Sequence, residues 1–249
     1  MPLTASISHA PLSEREEDAQ LRLDFAAFAQ RCFREINPLT ELAMNWHVEV
    51  IAAKLAAVFE CRIRRLIINV PPRYLKSLLA SVAFPAWCLG RKPGTQILCV
   101  SYAQDLADKL ARDCRRIVMS GWYQRAFPTR LSAQRQAVPE FETTHQGCRL
   151  ATSVGGVLTG RGADIIIIDD PLKPEEALSQ TQRQAANEWY DHTFYSRLKR
   201  YGTLYFVFLE VFYRGSDLEQ RSNLPRCLSR YLLVLRHSLT ALFRTLLIL

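Results

Sequence analysis

The sequence is poor in glycine, and it has neither closely paired cysteines nor long hydrophobic runs. Only 10 of its 249 residues are glycine and 12 are proline, which excludes collagen-like and broadly disordered chains. The seven cysteines form no C-x-x-C pair and lie mostly in apolar runs, so we expect reduced core thiols and no zinc site of that pattern. The N-terminus lacks a signal-peptide pattern, and no stretch reaches the ~18 apolar residues of a membrane span. These absences predict a folded protein of a reducing, cytoplasmic compartment.

The charge of the chain is unevenly distributed. With 32 basic and 24 acidic side chains, the formal net charge is +8, which favours a polyanionic partner such as nucleic acid, a nucleotide or an anionic membrane. Residues 220–249 contain five arginines and no acidic residue, so subtracting five from +8 leaves +3 for residues 1–219. The basic balance is therefore mostly a property of the C-terminal tail.

The N-terminal part of the sequence predicts a polar arm followed by two helices. Residues 1–20 are polar without periodicity, which predicts a flexible N-terminal arm. Apolar residues at helical spacing predict a helix over 21–36, which Asn37-Pro38 ends. A second helix is expected to begin at Asn45 as its cap and to carry one apolar face.

Short apolar runs then alternate with helical segments. Such β-branched runs are typical of strands buried on both faces of a parallel sheet. Strands are therefore predicted at 65–70, 96–100, 163–169 and 204–209, and two less clearly patterned ones near Phe141 and Leu150. A helix is expected over 75–89, with Pro85 kinking or splitting it, and another after a capping box formed by Ser101 and Gln104. The alternation predicts an α/β fold, a three-layer sandwich with a mostly parallel central sheet.

The turn after the first strand has the placement of a phosphate-binding loop. It reads Val70-Pro71-Pro72-Arg73-Tyr74-Leu75-Lys76-Ser77, so a buried strand turns sharply into Lys-Ser at the start of a helix. In such loops the backbone N–H groups and the lysine hold the β- and γ-phosphates, and the hydroxyl holds Mg²⁺. The usual glycines are missing at Val70 and Leu75. Taken alone, the pattern is closer to a plain strand-to-helix turn with a surface lysine.

The third apolar strand ends in two adjacent carboxylates, Asp169 and Asp170. At the C-terminal edge of a buried strand, one acid can hold Mg²⁺ and the next can orient or deprotonate the attacking water. Two buried carboxylates side by side need a cation or solvent. In the alternative interpretation, Asp170-Pro171 starts a turn and Asp169 caps the next segment. The two motifs together favour an Mg-ATP site.

From about Asn45 to Leu198 the chain resembles the ATPase domain of the large terminase subunit of tailed bacteriophages and prophages. The resemblance depends on Trp46-His47, on the glycine-free loop of residues 71–77, and on the segment 155–162 that leads into Asp169-Asp170-Pro171. It implies a P-loop NTPase of the RecA/ASCE-like kind, a motor that hydrolyses ATP to move double-stranded DNA into a procapsid. The implied partners are the portal protein, a small terminase subunit and further copies in a ring, all in the cytoplasm of a bacterial host and transiently at the portal vertex.

The resemblance also implies a role for each matching residue. Lys76, with Pro72, Tyr74 and Leu75 of the same loop, would bind the phosphates of ATP. Ser77 and Asp169 would hold Mg²⁺, Arg73 would face the γ-phosphate, and Asp170 would prepare the attacking water. Trp46 and His47 would lie near the adenine, although an aromatic residue on an amphipathic helix is more often part of a core.

Beyond the acidic strand the sequence departs from that family. We expect residues 21–218 to form the ATPase domain and residues 219–249 to be an atypical, Leu/Arg-rich tail, possibly read out of frame. A nuclease domain is expected to be absent, so no DNA cleavage is predicted. Two other functions stay open: an inactive remnant that binds nucleic acid by charge only, and a helicase-like ATPase.

Overall fold

The computed structural model describes residues 13–70, 73–156, 162–173, 175–189 and 198–209, which form an α/β fold around one seven-stranded sheet. The strands are β1 (Arg65–Val70), β2 (Gln96–Ser101), β3 (Leu131–Gln136), β4 (Glu140–Thr143), β5 (Cys148–Ser153), β6 (Ala163–Asp169) and β7 (Leu198–Leu209). The α-helices are α1 (Glu14–Leu23), α2 (Phe25–Ile36), α3 (Trp46–Phe59), α4 (Phe84–Arg91), α5 (Gln104–Met119), α6 (Gly121–Ala126) and α7 (Gln180–Trp189). A π-helical segment, Leu78–Ala83, precedes α4.

The sheet is mostly parallel, as the sequence predicts. Its order is β1-β7-β6-β2-β5-β4-β3, with parallel pairing from β1 to β5 and an antiparallel hairpin of β4 and β3 at one edge. The strand β7 lies between β1 and β6, so the two strands that carry the predicted site motifs are not direct neighbours. Both of their C-terminal ends nevertheless lie at the same edge of the sheet.

Both faces of the central strands are buried. On one face Ile97, Cys99, Ile165 and Ile167 belong to the main core, which the residues of α1–α6 and the π-helical segment complete. On the other face, a smaller cluster that includes Leu98, Val100, Ile166 and Ile168 packs against Trp189 of α7. In the described part of the chain, helices therefore cover both faces, and the expected three-layer α/β arrangement is confirmed.

Pro85 splits the helix expected over 75–89. It lies in the first turn of α4 and has no N–H group, so it cannot donate the α-helical hydrogen bond to the carbonyl of Ser81 four residues before it. The N–H group of Phe84 bonds instead to the carbonyl of Leu79, five residues back, which is the π-helical pattern.

The expectation of a flexible arm through residue 20 is wrong for residues 13–20, and residues 1–12 lie outside the described residues. Helix α1 begins at Glu14, and Ser13 and Glu16 form a capping box at its start. The helix is tied to the core because the Trp87 indole N–H donates to the Leu21 carbonyl at 3.0 Å. Its sequence shows little apolar periodicity because it buries only Asp18 and Leu21.

Two further expectations about helix starts are corrected. The predicted helix over 21–36 begins at Phe25, because the Asp24 side chain accepts hydrogen bonds from the N–H groups of the next turn and separates α1 from α2. The capping box of Ser101 and Gln104 does not form. Ser101 is the buried last residue of β2, and α5 starts at Gln104 with Ala103 as its cap.

The remaining sequence predictions have mixed outcomes. Of the six cysteines in the described ranges, all except Cys61 are buried, as expected of core thiols. No helix in these ranges has the length and hydropathy needed to cross a membrane. The predicted tail of residues 219–249 and the end of the predicted domain, 210–218, lie outside the described residues.

Candidate functional site

The loop after β1 places two non-glycine residues in the left-handed backbone region. Arg73 has φ 70° and Leu75 has φ 62°. Glycine adopts this region readily, whereas other residues are destabilised by about 1–2 kcal/mol. Leu75 stands where a standard phosphate-binding loop has glycine, and its half-buried side chain packs against the main core. The chain thus keeps the sharp turn without the glycine, and such local strain clusters at functional sites. Pro72 of the same loop lies outside the described residues.

Two segments that are 92 to 94 residues apart in sequence meet at this edge of the sheet. The Lys76 Nζ forms an ion pair with Asp170 Oδ1 and lies 4.0 Å from Asp169 Oδ1. The Ser77 hydroxyl donates to Asp169 Oδ1 at 3.2 Å. The four residues predicted from the loop and from the acidic strand are therefore in direct contact.

A further hydroxyl group completes the surroundings of Asp169. Ser81, in the π-helical segment, donates its hydroxyl hydrogen bond to Asp169 Oδ2 at 2.7 Å. Both carboxylate oxygens of Asp169 thus accept a serine hydroxyl. Ser81 is not among the residues predicted from the sequence, although its spacing of four residues from Ser77 would place both hydroxyls on one helix face.

Burial dominates the electrostatics of Asp169. This carboxyl group is 1% exposed, and its burial, with the neighbouring Asp170 charge, raises its pKa from 3.8 to about 6. Lys76 and the hydroxyls of Ser81 and Ser77 oppose this increase in the pKa but do not cancel it. A nearby divalent cation would favour the ionised carboxylate. Carboxylate and hydroxyl oxygens are ligands that Mg²⁺ accepts, so Asp169 and Ser77 fit the predicted metal.

Asp170 links the ends of two strands and pairs with the loop lysine. It follows β6 with φ 49°, and its backbone carbonyl accepts a hydrogen bond from the Tyr102 N–H, just after β2, at 2.9 Å. Its carboxylate is the partner of Lys76, which is 5% exposed. The acid predicted to prepare water and the lysine predicted to bind phosphate are thus bound to each other.

Three aromatic rings lie beside the loop. The His47 ring is 5.0 Å from the Tyr74 ring, and the Trp46 ring is 6.1 Å from that of His47, both edge to face. Trp46 and Tyr74 are 48% and 44% exposed, so the interpretation of Trp46 as a core residue is wrong. Arg73 is exposed between Tyr74 and the end of β1. The residues predicted to approach the base and the γ-phosphate therefore lie in or next to the same loop.

A metal site built from several strong ligands is not found in the described part of the chain. No group of three or more His, Cys, Asp or Glu side chains there could hold an ion. The described residues that suit a metal are instead one carboxylate and one hydroxyl, which is typical of sites where Mg²⁺ keeps waters and binds phosphate oxygens.

Comparisons with known proteins find a similar fold among solved structures. It is that of the HK97 bacteriophage large terminase, with a TM-score of 0.49 and 13% sequence identity. The alignment covers 76% of this chain and 37% of that terminase, so this chain spans well under half of its length. No protein-family model and no curated protein matches the sequence. The candidate site is therefore identified from the contacts described above and not from these comparisons.

Proposed function

We propose that this domain binds ATP with Mg²⁺ and hydrolyses it, as the motor domain of a terminase large subunit that packages double-stranded DNA. The observation that carries the proposal is the contact of Lys76 and Ser77 with Asp169 and Asp170 at the C-terminal edge of a mostly parallel sheet. Ligands of α/β proteins bind at this edge, and lysine, hydroxyl and carboxylate are the groups that phosphoryl transfer requires.

Each residue has a distinct task in this proposal. Lys76 exchanges its ion pair with Asp170 for the phosphate oxygens of ATP, and the released Asp170 carboxylate then accepts a proton from, or orients, the attacking water. Ser77 and Asp169 hold Mg²⁺, which when bound neutralises charge on the β- and γ-phosphates. Arg73 at the loop surface stabilises the negative charge that develops on the γ-phosphate.

The aromatic rings beside the loop suit a nucleobase. Trp46 and Tyr74 present exposed ring surface within one cluster that also contains His47. Stacking on aromatic rings binds bases with little regard to their identity. We therefore place the adenine against this cluster.

The wider role extends beyond the residues of the site. Double-stranded DNA, the portal protein, a small terminase subunit and a ring of copies are proposed partners in the cytoplasm of a bacterial host, on the basis of the sequence motifs. An inactive remnant and a helicase-like ATPase are the alternatives that experiment must separate.

Binding of a fluorescent ATP analogue, with and without Mg²⁺, tests the proposal. We expect saturable, Mg²⁺-enhanced binding by the wild type and its loss in Lys76→Ala, because this substitution removes the buried ammonium group that the proposal assigns to the phosphates. Lys109→Ala is the matched control, since the Lys109 side chain is more than half exposed and pairs with Asp113 one turn along α5.

The outcome distinguishes the alternatives. Equal affinity of the wild type and Lys76→Ala would overturn the proposal. DNA binding that depends strongly on salt but not on nucleotide would favour the remnant. Strand separation driven by ATP would favour the helicase.

A further inference from the structure

A fully buried arginine lies below the π-helical segment. Arg149 of β5 is 0% exposed and pairs with Ile97 of β2, on the face of the sheet that α5 and the π-helical segment cover. One of its guanidinium nitrogens, Nη2, donates to the backbone carbonyl of Ser81 at 3.0 Å. Its Nε and Nη1 have no hydrogen-bond partner in the part of the chain that the structure describes.

This arrangement is unfavourable for stability. A buried charge normally needs a carboxylate or a full set of hydrogen bonds, and hydrophobic replacements of buried ion pairs are often neutral or stabilising. The titratable neighbours of Arg149 include the thiols of Cys99 and Cys114, and burial raises the pKa of both, so they stay uncharged although the arginine opposes that shift. The position of Arg149 is therefore better explained by what its single hydrogen bond does.

The hydrogen bond from Arg149 replaces one that Pro85 cannot make. The carbonyl of Ser81 has no α-helical donor because residue 85 is proline, and Arg149 Nη2 supplies the missing donor from the sheet below. The guanidinium thereby fixes the backbone of the π-helical segment at Ser81. Such π-bulges occur frequently at functional sites.

Ser81 carries this constraint to the carboxylate. Its hydroxyl donates to Asp169 Oδ2 at 2.7 Å, while Asp169 Oδ1 lies next to Ser77 and Lys76. We propose that Arg149 and Ser81 are positioning residues for the metal site: Arg149 fixes the Ser81 backbone, and Ser81 holds Asp169 with one oxygen aimed at Ser77. The inference rests on the proposed function and assigns roles to two residues outside the phosphate-binding loop.

The test separates metal binding from nucleotide binding. Wild type, Ser81→Ala and Arg149→Met are titrated with Mg²⁺ at fixed fluorescent ATP analogue, and separately with the analogue in EDTA. We expect the half-saturating Mg²⁺ concentration to rise about 10-fold in each variant, as is usual when a group that orients a ligand is removed. The affinity measured in EDTA should change less than about twofold.

The stability of Arg149→Met is a second readout. If the role of Arg149 were purely structural, this variant would be less stable than the wild type. Because methionine fills a similar volume without a charge, Arg149→Met should unfold at the same urea concentration as the wild type or a higher one. Arg149→Lys keeps a donor and should regain part of the Mg²⁺ affinity. Thr129→Val is the control, since it removes a buried hydroxyl that bonds to the Leu89 carbonyl in α4 and not to the site.

The results test the positioning role of Arg149 and Ser81 separately from the proposed function. Wild-type Mg²⁺ dependence in Ser81→Ala overturns the inference, as does an equal shift in Thr129→Val. Should Arg149→Met fail to fold, Arg149 has a structural role and the inference is overturned for it, while Ser81→Ala still decides for Ser81. A wild-type protein whose nucleotide binding ignores Mg²⁺ would instead overturn the proposed function.

Discussion

Replacing Asp169 by asparagine should stabilise the metal-free protein, and more so as the pH rises. The carboxyl pKa is about 6 in the folded state against an ordinary 3.8. At about 1.4 kcal/mol per pKa unit, the difference of about two units means that ionised Asp169 destabilises the fold by about 3 kcal/mol above pH 6. Asparagine removes this penalty and can keep both contacts, because its oxygen accepts one serine hydroxyl and its amide donates to the oxygen of the other.

The sign follows from proton uptake on folding. A raised folded-state pKa contributes stability that is complete below the unfolded value and is lost as the pH rises through the folded value. At pH 4.5 the penalty is about 1 kcal/mol, and at pH 7.5 it reaches the full ~3 kcal/mol. The free energy of unfolding of Asp169→Asn, relative to the wild type, should therefore increase by about 2 kcal/mol between these pH values.

Urea unfolding in EDTA, followed by circular dichroism at pH 4.5, 6 and 7.5, measures this difference. Asp105→Asn, at an exposed position in the first turn of α5, is the control and should show a nearly constant difference. A gap between Asp169→Asn and the wild type that is constant or shrinks as the pH rises would refute the reasoning. The same variant should lose Mg²⁺-dependent nucleotide binding, because it lacks the anionic ligand.

Two other substitutions probe the loop and its ion pair. Leu75→Gly relieves about 1–2 kcal/mol of left-handed backbone strain, but it removes half-buried packing and increases the entropy of the unfolded chain. The free energy of unfolding in urea should therefore change by no more than about 1 kcal/mol. A loss above about 3 kcal/mol would show that the loop is not strained there. Asp170→Asn should lower the melting temperature without nucleotide, because buried Lys76 loses its carboxylate, and should increase the upward shift that Mg-ATP causes. Phosphate release by Asp170→Asn should be abolished, and wild-type hydrolysis would remove Asp170 from the proposed mechanism.

The strongly patterned parts of the fold could be predicted from the sequence. Helix α3, with Asn45 as its cap, and the strands β1, β2 and β6 agree in extent with the predicted segments, because amphipathic and apolar runs are specified by burial. The prediction that β1 is buried on both faces is wrong, since Ile68 is the one buried residue among its described side chains. Helix α1 was missed because its burial signal is weak, although Ser13 and Glu16 provide the spacing of a capping box. The strand β3, which reads LSAQRQ, was missed for a similar reason.

The site was only partly predictable. Lys76, Ser77, Asp169 and Asp170 lie at strand ends, where topology alone brings them to one edge. Ser81 and Arg149 depend on three-dimensional detail: the first on the register of a π-helical segment, the second on which face of β5 meets that segment. A single arginine in an apolar strand gives no indication of the carbonyl that it will contact.

The placement of β7 also determines when the site can form during folding. This strand comes last among the described elements, yet it pairs with both β1 and β6 in the middle of the parallel sheet. The phosphate-binding loop after β1 and the acidic end of β6 therefore reach their final positions only after residues 198–209 have inserted between these two strands, which precede β7 in the sequence. Such distant pairing slows folding. Any shortening of the chain that removes β7 should therefore abolish nucleotide binding, because the loop after β1 and the end of β6 are then no longer held next to each other.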